Sequence, residues 1–177
     1  GRYLAFLDAD DLWLPEKLLH QTEFMQRTGA AMSFTDYRFM SEDGTLVGRP
    51  LRGPRRVGWH LHHMTRYLGC LTVMVDRHQC PAFSFGTVSP EYRAEDFLAW
   101  SHIIKEFGYV YRLPEDLARY AIVPDSRSSN GVRAAVSVWR LYREEENLPV
   151  LQTLLYFSVY LMFATGKRFF CRPQWPI

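Results

Sequence analysis

The sequence predicts an α/β fold, a mixed sheet flanked by helices, and three observations carry that prediction. Short apolar runs alternate with stretches of helical periodicity, as in Tyr3 to Leu7 followed by Leu18, Leu19, Thr22 and Met25. Boundary residues stand where the period changes, with Pro15 in the first turn of that helix and Gly29 at its end. The 177 residues, 47% apolar and 23% charged, amount to one domain's length with enough apolar surface for a core.

Taken in order, Tyr3 to Leu7 is apolar on both faces and predicts a strand buried in the sheet, stopping at the acidic cluster Asp8, Asp10 and Asp11. The helix opened by Leu14-Pro15-Glu16 follows, so these carboxylates sit at the carboxyl end of a strand, where open α/β sheets bind ligands. Ala31 to Thr35 predicts a second strand, and Glu42-Asp43-Gly44-Thr45 a turn between two extended pieces. Arg49 to Arg56, rich in Arg and Pro, has no periodicity and reads as a loop. Leu71 to Val75 is a further strand. Ser89-Pro90-Glu91 leads into a helix whose Phe97, Trp100, Ile104 and Phe107 share one apolar face, ended by Gly108. Two strands are expected next, Tyr109 to Leu113 and Leu117 to Val123.

From Val132 a helical region runs past Trp139, Leu141 and Tyr142 to the acidic run Glu144 to Glu146. Leu148 to Ala164 then holds 17 residues without a charge, before Lys167, Arg168 and Arg172. A spanning helix needs about 20 apolar residues. This stretch therefore reads as a helix packed on the domain or lying on a membrane surface.

The net charge of +2 is too small to announce a nucleic-acid partner. Arg49 to Val75 nevertheless holds five arginines, three histidines and no acidic residue, a segment suited to an anionic partner or to an ordinary solvated loop. Cys70, Cys80 and Cys171 lack Cys-x-x-Cys spacing and leave one cysteine unpaired in any disulfide scheme, which points to a reducing, cytoplasmic setting. The first residues show no secretory leader. His60, His62 and His63 have no matching fourth ligand nearby and read as loop or surface histidines.

Two constellations suggest chemistry. In Phe6 to Trp13, two carboxylates separated by one residue can converge on a hard divalent cation, because the intervening side chain turns away. Acidic residues ahead of a helix are also favoured by capping and the helix dipole alone. An EF-hand is excluded by Leu12 and Trp13, and a haloacid-dehalogenase-like phosphohydrolase expects Thr or Val where Leu12 stands. Arg93-Ala94-Glu95-Asp96 is the second constellation. A carboxylate in a helix's first turn is held ionised by the dipole and can accept a hydroxyl proton, or it can simply cap the helix.

Read together, GRYLAFLDADDLWLPEKL, CLTVMVDR and RAEDFLAWSHIIKEFGYVYRLPEDLARYAIVPDSRSSN resemble the second half of a family 2 glycosyltransferase of GT-A fold. MSFTDYRFMSEDGTLVG and VWRLYREEENLP resemble enzymes of bacterial capsule, O-antigen and teichuronic acid synthesis. The resemblance runs to about Pro149. Composition and periodicity leave 132–177 as a helical tail, packed on the domain or membrane-associated, and the resemblance implies a GT-A-like domain over 1–131, incomplete at its N-terminus. It implies Asp10 as ligand of Mg²⁺ or Mn²⁺, Asp8 near the metal or the donor's ribose, Asp96 as general base, and Glu95 as a neighbour contacting the acceptor.

The implied reaction is inverting transfer from a nucleotide-diphospho-sugar to a hydroxyl of a glycan or lipid-linked glycan, at the inner face of the cell membrane, with no nucleic acid involved. The family's nucleotide-gripping N-terminal strands are missing, so the segment alone is expected to be inactive and its sheet to expose an edge. Ser126 to Ser129 reads as a lid or a linker. The competing readings are the phosphohydrolase and an inactive membrane-associated remnant.

Overall fold

A computed structural model describes residues 1–85, 95–123, 131–171 and 173. Its seven strands are β1 (Tyr3–Ala5), β2 (Leu12–Trp13), β3 (Met32–Ser41), β4 (Val47–Leu51), β5 (Arg56–Gly58), β6 (Val73–Asp76) and β7 (Tyr109–Ile122). They form one mixed sheet of order β1-β6-β3-β7-β2, with β4 paired to β3 and β5 to β7. Only β3 and β7 run parallel; the other pairs are antiparallel. The helices are α1 (Lys17–Thr28), α2 (Trp59–Met64), α3 (Glu95–Phe107), α4 (Gly131–Arg140) and α5 (Val150–Cys171), with a π-helical turn, Leu141–Glu145, following α4.

Alternation in β6 shows how the sheet is covered. Val73 and Val75 face a core shared with Trp100, Ile103 and Ile104 of α3, whereas Met74 faces Met25 of α1. One helix thus covers each face. A third apolar cluster joins Phe97 of α3 to Val138, Leu141, Tyr142, Leu148, Tyr156 and Tyr160, so the C-terminal helices pack against the start of α3.

The mixed α/β sheet is as expected, and four local expectations are corrected. Residues 109–123 form one long strand rather than two. Thr35 pairs with Leu113 and Asp36 with Asp116, leaving Pro114 and Glu115 as a bulge, because Pro has no N–H to give the ladder. Arg112 fastens that bulge through a two-pronged bond to Asp36, at 2.6 and 2.5 Å. The stretch 49–56 is mostly extended. Pro50 is accommodated because β4 is paired only to β3 among the described residues, and irregular backbone is confined to residues 52–55. Gly53 is needed there, since a Cβ would lie 2.9 Å from the Phe34 ring.

β1 is an edge strand and its three residues are only half-buried. Finally, α1 does not bury Leu18 and Leu19, which are exposed; its buried row is Lys17, Gln21 and Met25. The turn at Gly44 and the left-handed stop at Gly29 are as expected. The Ser89-Pro90-Glu91 lead-in and Ser126 to Ser129 lie outside the described residues.

Candidate active site

The acidic segment leaves β1 and is tied down on both sides. The Asp11 N–H donates to the Asp8 carbonyl at 3.1 Å, closing a tight turn that leaves Asp8 and Asp10 exposed and buries Asp11. Asp11 Oδ1 accepts the Ala121 N–H of β7 at 2.9 Å. Trp13 donates its indole N–H to the Leu71 carbonyl at 2.7 Å, and Lys17 Nζ lies 4.4 Å from the Trp13 ring centre. On the other side Phe6 packs against Trp100, with ring centres 5.4 Å apart, in a cluster with Phe83 and Phe85. The residues flanking Asp8 and Asp10 are thereby joined to β7, to the turn before β6 and to α3.

Asp96 and Glu95 open α3 one turn before Trp100. Glu95 is exposed, while Asp96 is drawn inward and accepts the Phe97 N–H at 2.7 Å. Burial raises the pKa of Asp96; Arg66 and the Phe97 N–H oppose that rise, and Glu95 and Asp8 add to it. Cys70 reports the same convergence from a third element. Burial, then the charges of Asp96, Asp8 and Asp11, push its thiol up to about 12. A thiol held this way is no nucleophile at neutral pH. It marks instead the place where the acidic turn and the start of α3 meet.

The site residues expected from sequence thus fall on two segments 88 positions apart that the fold brings together. Among the described residues no group of three or more His, Cys, Asp or Glu is disposed to enclose a metal ion. Within the acidic turn, Asp8 and Asp10 are the exposed carboxylates. Three participants lacked a sequence signal. Asp11 is buried, its Oδ2 has no partner, and burial lifts its pKa to about 6. Lys17 is wholly buried, with Nζ bonded to Gln21 Oε1 at 2.7 Å, and burial lowers it to about 7. Arg66 lies with Cζ 4.1 Å from the Phe97 ring centre.

The histidines are corrected: His62 and His63 are core residues, not surface ones.

Comparison with known proteins bears on the family and the fold. The sequence model of glycosyl transferase family 2 matches residues 1–87. A Bacillus subtilis protein named for teichuronic acid biosynthesis, the glycosyltransferase TuaG, is 36% identical over 168 residues, covering 95% of this chain and 66% of the relative. The chain belongs to glycosyltransferase family 2. A second relative is 26% identical over 177 residues, 96% of this chain and 65% of its own length. It is the Escherichia coli UDP-Glc:alpha-D-GlcNAc-diphosphoundecaprenol beta-1,3-glucosyltransferase WfgD. The crystal structure of Staphylococcus aureus TarS 1-349 with UDP-GlcNAc superposes with a TM-score of 0.54 at 15% identity, over 96% of this chain and 50% of that one. That likeness shows the GT-A fold. The family 2 chain described here spans about two thirds of the length of its curated relatives.

Proposed function

We propose that this chain carries the catalytic centre of an inverting glycosyltransferase of bacterial cell-surface polysaccharide synthesis. It would use a nucleotide-diphospho-sugar donor and a hydroxyl of a glycan or lipid-linked glycan, as WfgD does by name. The observation that carries the reading is the packing of Phe6, just before the acidic turn, on Trp100, one turn into the helix that Asp96 opens, which sets the two carboxylate-bearing segments side by side. A half-buried carboxylate beside an exposed acidic turn would supply the two halves that sugar transfer requires.

Asp96 would take the proton of the attacking hydroxyl. Its raised pKa makes it a stronger base than a surface carboxylate, and its bond to the Phe97 N–H sets which oxygen remains for the acceptor. Successive helical residues point about 100° apart, so Glu95 cannot aim at the same hydroxyl and is left to contact the acceptor. Asp8 and Asp10 fit Mg²⁺ or Mn²⁺, since such ions take one or two carboxylates and complete their shell with water and substrate phosphates. A bound ion would offset the charge that develops on the leaving diphosphate. Residues 1–131 would carry this chemistry, and 132–177 would carry contact with the inner face of a membrane.

The test uses the intact protein with UDP-glucose and a GlcNAc-diphospholipid acceptor. Asp96→Asn should lower kcat by about 10²- to 10⁴-fold, the usual worth of a general base, with donor affinity unchanged. Asp10→Ala should instead abolish Mn²⁺-dependent donor binding. Full turnover by Asp96→Asn would refute the assignment of the base.

A further inference from the structure

The first turn of α3 is gripped from outside by groups that the proposed chemistry does not use. His62 is buried, and its ring lies flat on Phe97 with centres 4.2 Å apart and planes 14° apart. Its Nε2 is 3.0 Å from the Phe97 carbonyl oxygen, and because a carbonyl only accepts, Nε2 carries the hydrogen. His63 meets the same Phe97 ring edge-on at 4.9 Å. Phe97 is the residue whose N–H holds Asp96.

One helical turn and two turns further along the same face of α3 stand Ser101 and Lys105. Both are bound to a single carboxylate, Glu146, by Ser101 Oγ at 2.8 Å and Lys105 Nζ at 2.7 Å. The third group facing Glu146 is His63, with Nε2 at 3.4 Å from Oε1. His63 Nδ1 already donates to the Trp59 carbonyl at 2.8 Å, and the His63 carbonyl accepts the Tyr142 hydroxyl. Glu146 is buried at 3% side-chain exposure, which raises its pKa, yet the bonds from Ser101 and Lys105 and the nearness of His63 outweigh burial and hold it at about 2.

Glu146 ends the π turn, where its N–H donates to the Leu141 carbonyl at 3.0 Å, and Asn147 follows in the left-handed region at φ 50°. Its place is therefore set by the C-terminal helices. These lie beyond the 1–87 stretch that the family model matches.

We propose that Glu146 is a positioning residue for Asp96: it latches the C-terminal helices to Ser101 and Lys105 of α3 and to His63 of α2, while the adjoining His62 fixes Phe97 and hence the Asp96 carboxylate. This deepens the glycosyltransferase reading and rests on Asp96 being the base. Loss of the latch should loosen the first turn of α3, while the acidic turn keeps its ties to β7 through Asp11 and to Leu71 through Trp13.

The test compares intact protein with its Glu146→Gln and Glu146→Ala variants, using UDP-glucose turnover and amide hydrogen exchange of Phe97 as separate readouts. A misplacement of about 1 Å can cost 100-fold in rate. Glu146→Ala should lower kcat by about that factor at unchanged donor KM. Glu146→Gln keeps the Ser101 contact and should recover part of the loss. Phe97 exchange should accelerate in the same order while Met25 in α1 stays protected. If Glu146→Ala does not fold, Glu146→Gln must still show both effects. Unchanged Phe97 exchange, or unchanged kcat despite faster exchange, overturns the proposal. Should the parent itself transfer no sugar, the glycosyltransferase reading falls, and titration of Asp96 by carboxyl NMR replaces kcat: an Asp96 pKa unmoved by Glu146→Gln overturns the latch.

Discussion

Asp11 stands beside the two exposed carboxylates Asp8 and Asp10 and differs from them in burial. One of its oxygens holds the Ala121 N–H and the other has no partner, and burial raises its pKa from 3.8 to about 6. The native state therefore keeps this proton to higher pH than the unfolded chain does. Its contribution to stability is full below pH 3.8 and is lost as pH rises through about 6. Asp11→Asn keeps an acceptor for Ala121 and cannot ionise. Thermal unfolding measured between about pH 4 and 7 should show a flatter decline for the variant than for the parent; an identical slope would mean that Asp11 is not the titrating group. No sequence pattern separates Asp11 from its neighbours, because burial of one aspartate in a run of three is decided by β7, which arrives more than a hundred residues later.

At the scale of an element, α1 shows how far periodicity carries. Its extent, with a left-handed Gly29 at the end, was legible from Pro15 and Gly29. Its buried face was not. Leu18 and Leu19 are 47% and 59% exposed, whereas Lys17 and Gln21 are wholly buried, because Gln21 Nε2 bonds the Thr72 carbonyl at 3.0 Å and Ser33 Oγ at 3.1 Å. Having hydrogen-bond partners lets this polar pair lie in the interior. Lys17 titrates at about 7 instead of 10.5, so the unfolded state binds more protons between those values and stability rises with pH across that window. Lys17→Met removes the ionisable group while Gln21 keeps its bonds to Ser33 and Thr72. The expected outcome is an unfolding midpoint that no longer climbs between about pH 7 and 10, read by circular dichroism. A climb of the parent's size would exclude Lys17 as its source.

Over the whole molecule, the charge-free C-terminal run resolves into two faces of α5. Thr153, Tyr156 and Tyr160 are buried, whereas Leu151, Leu155, Met162 and Phe169 lie within an arc of about 40° on the opposite side. Among the described residues no helix is long and apolar enough to cross a membrane. Such a row suits a membrane surface. Of the basic residues expected to assist, Lys167 donates to the Tyr37 hydroxyl at 3.4 Å and so faces the domain. Deleting α5 would uncover the core beneath Tyr156 and Tyr160, so surface changes are the better test. Leu155→Ser, Met162→Ser and Phe169→Ser together should lower co-sedimentation with anionic phosphatidylglycerol vesicles about 10-fold or more, each lost apolar side chain being worth roughly 1 kcal/mol or more. Equal binding by the triple variant would exclude this face.

What is local was legible along the chain. A short strand runs into Asp8 and Asp10, Asp96 opens a helix whose Phe97, Trp100 and Ile104 face inward, and Gly44 and Gly29 end their elements, because periodicity, turn chemistry and backbone sterics act within a few residues. Packing between distant segments settled which of three neighbouring aspartates is buried, that Pro114 bulges a single strand instead of breaking it, and that His62 and His63 are core residues, His63 beside Glu146. Burial and electrostatic environment are set by whichever segments pack together, here Phe6 with Trp100 and His63 with Glu146. Such segments lie too far apart along the chain for any local pattern to record them.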